Sequence, residues 1–131
     1  MRVFIGVITG MALSVSMAVA APSKKAATAF VKEMEAAVKA GDMAIRDGSN
    51  QVLHDHSKRI AVLKNKATAM FVPAEPSGAC NFAAGSANQL WVCKLKQFQN
   101  PTEVGYRFVK SATEDYRDNL GLCKQNIGTL K

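Results

Sequence analysis

Two histidines two residues apart, three scattered cysteines and a knot of carboxylates are the groups in this sequence with chemical potential. His54 and His56 lie in a His-Asp-His run. On a helix, residues two apart point about 200° from each other, so the pair cannot share one metal ion. His56 falls on an apolar stripe and reads as a core or interface histidine. The functional alternative is a copper or zinc ligand set completed by Met34, Met43 or Met70, although methionine in a core is more often a gap filler. Neither CxxC nor CxxCH occurs, which leaves a zinc ribbon and covalent haem without support. Haem held without covalent bonds would need an axial His or Met on the last helix, and that segment has neither.

Nucleophilic chemistry has equally little to stand on. Cys123 and His56 are a conceivable pair, but nothing in their spacing asks for one. The GxSxG, HExxH and P-loop patterns are absent. Glu114, Asp115 and Asp118 alternate with Lys110 and Arg117, the pattern of a solvated charged face. Paired carboxylates for glycoside cleavage belong in a cleft that a chain this short has little room to build. The expectation is a protein that is not an enzyme and holds no cofactor.

The cysteines acquire meaning from the N-terminus. Arg2 is followed by a run from Val3 to Val19 with no charged residue, then by Ala18-Val19-Ala20 and Pro22. That is a positive start, an apolar centre and a small-x-small cleavage pattern, which reads as a cleaved secretory signal over residues 1–20. A run of about 17 apolar residues is at the lower limit for spanning a bilayer, and no second such run follows. No stable membrane insertion is expected after cleavage. Residues 21–131 are then one α-helical domain, long enough to bury about two-thirds of its unfolded surface.

Export to a periplasm or beyond means an oxidising environment and one disulfide among Cys80, Cys93 and Cys123. Cys80–Cys93 closes the shortest loop and is the preferred pair; Cys80–Cys123 stays open. Cys93–Cys123 is disfavoured, because two helices meeting at Asn100 leave these residues roughly 24 Å apart in height, whereas a disulfide needs Cα atoms within about 7 Å. Under the preferred pairing Cys123 is left as a buried thiol on an apolar stripe.

Several elements must position these residues. Ala27, Phe30, Met34 and Ala37/Val38 recur at helical spacing from a cap at Ser23, with Gly41 as the stop, which predicts a helix over 23–40. Asp42 can cap a second, running through Ile45, Val52, His56, Ile60, Leu63 and Ala67 to Phe71 before Pro73, with a kink or break at Gly48-Ser49-Asn50. Residues 73–86 read as a Pro/Gly-rich connector. Ser86 to Gln89 resembles a capping box opening a helix over 87–99; the rival reading is a β-hairpin with strands at 79–83 and 90–95. Asn100-Pro101-Thr102-Glu103 then starts a last helix carrying Val109, Ala112, Tyr116, Leu120, Cys123 and Ile127, with Gly121 as a weak point and Gly128 as its end. The fold class is all-α, a small bundle of three to four helices.

The net charge is +7. Export removes the usual nucleic-acid partners, so the charge points to an acidic protein or an anionic envelope component. Lys58, Arg59, Lys64 and Lys66 on the second helix are the expected contact residues. The functional expectation is a small exported helical protein, in a bacterium a periplasmic one, that binds another macromolecule as an inhibitor, immunity or accessory protein. The alternative is a periplasmic carrier of a small ligand or of copper or zinc.

Overall fold

The computed structural model describes residues 21–131; the segment read as a secretory signal lies outside them. Four α-helices follow one another: α1 (Lys24–Asp47), α2 (Asn50–Met70), α3 (Ala79–Gln99) and α4 (Glu103–Ile127). A single 3-10 turn, Pro76–Gly78, precedes α3. The all-α bundle is therefore the architecture, and among the described residues no strand occurs. The hairpin alternative fails because Ala83, Ala84, Ala87 and Leu90 bury one helical face of this stretch.

Each helix earns its place through one apolar stripe. On α1 it is Ala27, Phe30, Met34, Ala37, Gly41 and Ala44, alternating three and four residues apart. On α2 it is Leu53, His56, Ile60, Leu63 and Ala67. α3 supplies Cys80, Ala83, Ala84, Ala87, Leu90 and Trp91, and α4 supplies Ala112, Tyr116, Cys123 and Ile127. These stripes share one core, in which Phe30 meets Phe71 edge-on with ring centroids 5.3 Å apart. Helices α1 and α3 touch across the bundle, and each also contacts both other helices, whereas α2 and α4 lie on opposite flanks without contact. The most extensive pairing is α3 with α4, where alanines on the inner face of α3 allow a close approach.

Helix boundaries depart from the sequence expectation in instructive ways. Gly41 does not end α1; it is buried inside it, and a Cβ there would sit 3.3 Å from His56 Nε2 and 3.5 Å from the Trp91 ring. A helical glycine costs only about 1 kcal/mol, less than the packing of the extra turn recovers. The turn instead uses Gly48 at φ 69°, a left-handed C-cap whose N–H donates to Ala44 O. Ser49 then caps α2, its hydroxyl accepting from Val52 N–H at 3.3 Å. The weak point expected at 48–50 is thus a complete reversal. The connector is also shorter than expected, because α3 begins at Ala79 and carries Gly85 and Ser86 in its interior. Ser86 caps nothing; its Oγ accepts from Asn119 Nδ2 at 2.6 Å. At the last turn Thr102, not Asn100, is the N-cap, accepting from Gly105 N–H at 2.8 Å. Gly121 leaves α4 unbroken.

The disulfide joins Cys80 to Cys123, with Cα atoms 4.5 Å apart. The preferred Cys80–Cys93 pairing is wrong for a simple reason. Both residues lie on α3, and 13 residues of helix separate them by about 20 Å along its axis. Cys93 is the free thiol. The bond ties residues 43 apart in sequence, a loop for which chain entropy gives about 4 kcal/mol. Replacing Cys80 and Cys123 together with Ala should therefore lower unfolding free energy by several kcal/mol in urea titration, while Cys93→Ser changes it by less than about 0.5 kcal/mol. A thiol assay on the native, unreduced protein should count one reactive cysteine. Equal loss from Cys93→Ser would refute the pairing.

Candidate functional site

The outer side of the α3–α4 pair carries the feature best suited to a ligand. Because α3 turns Ala83, Ala87 and Leu90 inward, helical spacing turns Phe82, Gly85, Gln89, Cys93 and Lys96 outward. On α4 the equivalent outward line is Val104, Phe108, Asp115 and Leu122. Between the two lines runs a groove with two depressions. One, of about 370 Å³, is bordered by Phe82, Gly85, Asp115 and Asn119. The other, of about 500 Å³, is bordered by Cys93, Gln97, Val104 and Phe108.

The apolar side chains here are not buried by the fold. Phe82 is 60% and Phe108 61% exposed, and Val104 is also more than half exposed. Gly85 belongs to the same surface. A Cβ there would meet nothing within 4 Å, so no internal contact requires glycine at a position where alanine would favour the helix by about 1 kcal/mol. The groove is held rigidly. Cys80–Cys123 fixes one end, and at the other Gln97 brackets Thr102, donating to its carbonyl at 3.0 Å and accepting from its N–H at 3.1 Å. Cys93 Sγ lies in the groove and accepts from Gln89 Nε2 at 3.6 Å.

The sequence-predicted residues fall elsewhere. Lys58, Arg59, Lys64 and Lys66 are all exposed on α2, but they do not form one patch. With the buried stripe as reference, Lys58 points directly away from the core, Arg59 and Lys66 lie toward α1, and Lys64 lies toward α3. Lys66 is bound to Glu33 of α1 at 2.8 Å. His54 is exposed and His56 buried, as expected for two positions on opposite sides of a helix. Among the described residues no group of three His, Cys, Asp or Glu side chains is placed to hold a metal ion, and no helix is long and apolar enough to cross a membrane.

His56 belongs to the core. Its ring stands edge-on to Trp91 with centroids 4.4 Å apart, and Nε2 is buried without a hydrogen-bond partner. Trp91 Nε1–H donates to Ser57 Oγ at 2.8 Å, and that hydroxyl donates to Leu53 O at 2.9 Å. Burial pushes the imidazole pKa below its usual range, and the Arg59 and Lys94 cations push it the same way. The missed feature, the groove, had a signal: Phe82, Val104 and Phe108 are large apolar residues off the core stripes of their helices. The chain matches no protein-family model, no curated protein and no solved structure.

A histidine held neutral in the fold binds its proton more readily once unfolded, so stability rises with pH across the interval between the two pKa values. It is fully present above the ordinary value of 6.5 and is lost as pH falls from there through the lower folded value. The thermal midpoint should therefore drop on acidification from about pH 7.5 to 5.5. His56→Gln should remove most of that slope and His54→Gln should leave it. An unchanged slope in His56→Gln would show that other groups set it.

Proposed function

We propose that this is a small exported helical protein that acts by binding another macromolecule, in a bacterium as an inhibitor, immunity or accessory protein of the periplasm. The observation that carries this reading is the α3–α4 groove. Three large apolar side chains, Phe82, Val104 and Phe108, stand more than half exposed along its borders, and clustered exposed apolar surface marks interaction sites. Two aromatic anchors, a glycine that leaves room between them and a rigid frame are what a partner side chain would need. The expectation of export rests on the N-terminal signal pattern, and the Cys80–Cys123 bond agrees with an oxidising compartment. Loss of Arg2 with the signal lowers the net charge from +7 to +6, which would still speed encounter with an acidic protein or an anionic envelope component.

A photoreactive benzophenone side chain placed at Phe108 should give a discrete cross-linked species in cells. The same group at Val62, exposed at 62% on α2, should not. Gly85→Trp, whose Cβ would meet nothing within 4 Å, sets a large side chain in the groove and should reduce the Phe108 adduct about tenfold. Adducts of equal yield at both positions, or none at Phe108, would defeat the groove as the binding surface. Export is read independently, from the N-terminal sequence of the mature protein, expected to begin at Ala21.

A further inference from the structure

A second surface lies on the solvent side of α1, away from the groove. Lys25, Lys32, Lys39 and Arg46 follow one another at intervals of seven residues, and all are exposed. None of them joins an ion pair among the described residues. The row is about 32 Å long, with about 10.5 Å between successive charges. Ala29, Ala36 and Met43 alternate with the cations and are likewise exposed, Met43 at 69%. The combined spacing is four, three, four, three, four, three. Residues so spaced share one face of a helix, and on this face cations alternate with small or apolar side chains. It is separate from the core stripe of α1, which faces the other way.

Three of the four acids of α1 are paired with neighbouring helices, and the fourth, Asp47, stands beside Arg46 at the C-terminal end, where it accepts from Ser49 N–H at 3.1 Å, so the row is least compensated at Lys25, Lys32 and Lys39. Glu33 pairs with Lys66 of α2, Glu35 with Lys124 of α4, and Asp42 with Lys94 of α3 at 2.7 Å. The first turn of α1 moreover holds Lys24 and Lys25 and no acid, which sets positive charge against the positive end of the helix dipole. The unpaired row and the basic first turn add nothing to the stability of the bundle, and both suit a partner bearing negative charge.

We propose that this face docks an acidic α-helix of a partner protein, laid lengthwise on α1. Carboxylates spaced one heptad apart on that helix would each meet one of the four cations. Ala29 and Ala36 let the two backbones approach, and Met43 packs between them. A flat anionic membrane would have no use for the small residues between the charges, and a row one residue wide offers it little contact. The surface is distinct from the α3–α4 groove, so either can fail without the other.

The test uses the purified protein and a fluorescein-labelled four-heptad peptide with glutamate at one position of every heptad, read by anisotropy. The heptad peptide should bind at least about tenfold tighter than a scrambled peptide of the same composition. Lys32→Gln/Lys39→Gln should weaken it about tenfold and flatten its salt dependence. Lys58→Gln/Lys64→Gln removes the same charge from α2 and should cost less than about threefold. Ala36→Trp, which obstructs close approach but keeps every cation, should weaken the peptide about as much as the double lysine variant. Circular dichroism confirms that each variant is folded. Equal binding of the scrambled peptide, equal loss in the α2 variant, or indifference to Ala36→Trp would each overturn the proposal. So would adsorption to phosphatidylglycerol vesicles that depends on Lys32 and Lys39 in a protein that ignores the peptide.

Discussion

The close approach of α3 to α4, locked by Cys80–Cys123, is the constraint from which the rest of this molecule follows. Alanine at positions 83, 84 and 87 removes side-chain bulk from the inner face of α3, and the disulfide fixes the register of the two helices near one end. Phe30 and Met34 on α1, and Ile60, Leu63 and His56 on α2, fill the core beside this pair together with Leu90 and Trp91 of α3 and Tyr116 of α4. The same approach has an outward consequence. Two helices packed tightly along their inner faces leave a shallow furrow between their outer ones, and the apolar residues bordering it have nothing in the fold to cover them.

The periodicity of the sequence carried the architecture, because each helix buries a continuous three-four stripe and each stripe can be read without knowing its partner. Helix ends were less legible. Gly41 and Gly48 are chemically identical stop signals, and only the tertiary context separates them: Gly41 is small because His56 and Trp91 crowd it, whereas Gly48 is glycine because its φ is 69°. Likewise Ser86 has the look of a cap and Ser49 is one. The difference lies in Asn119, a residue far along the chain, which donates to Ser86.

The pairing of the cysteines turns on an element boundary. A connector reaching to residue 86 would have left Cys80 free to fold back on Cys93. Helix α3 starts eight residues earlier, at Ala79, and the rise of that helix alone separates the two sulfurs beyond reach. The candidate site was harder still to see, because reading a stripe for burial treats everything off the stripe as solvent face. Phe82 and Phe108 are off the stripe, and their types are wrong for solvent. The basic residues of α2 cluster in sequence, yet helical geometry scatters them around three sides of α2.

Charge in this protein is better understood by what is left unpaired than by what is present. α1 carries nearly as many acids as bases, and its sequence alone suggests a neutral surface. The bundle changes that by spending lysines from each of the three other helices on Glu33, Glu35 and Asp42. Exposed ion pairs of this kind add little stability, about 0–1 kcal/mol each, so their effect on the fold is small. Their effect on the field is larger, since they cancel the negative charge of Glu33, Glu35 and Asp42 and leave Lys25, Lys32 and Lys39 uncompensated, while Asp47 remains beside Arg46. The groove and the row then differ in kind as well as place: one exposes apolar surface at a tight helix pair, the other exposes charge at heptad spacing. A partner that engaged both would have to reach around the bundle, so the two faces are more naturally matched to two separate contacts.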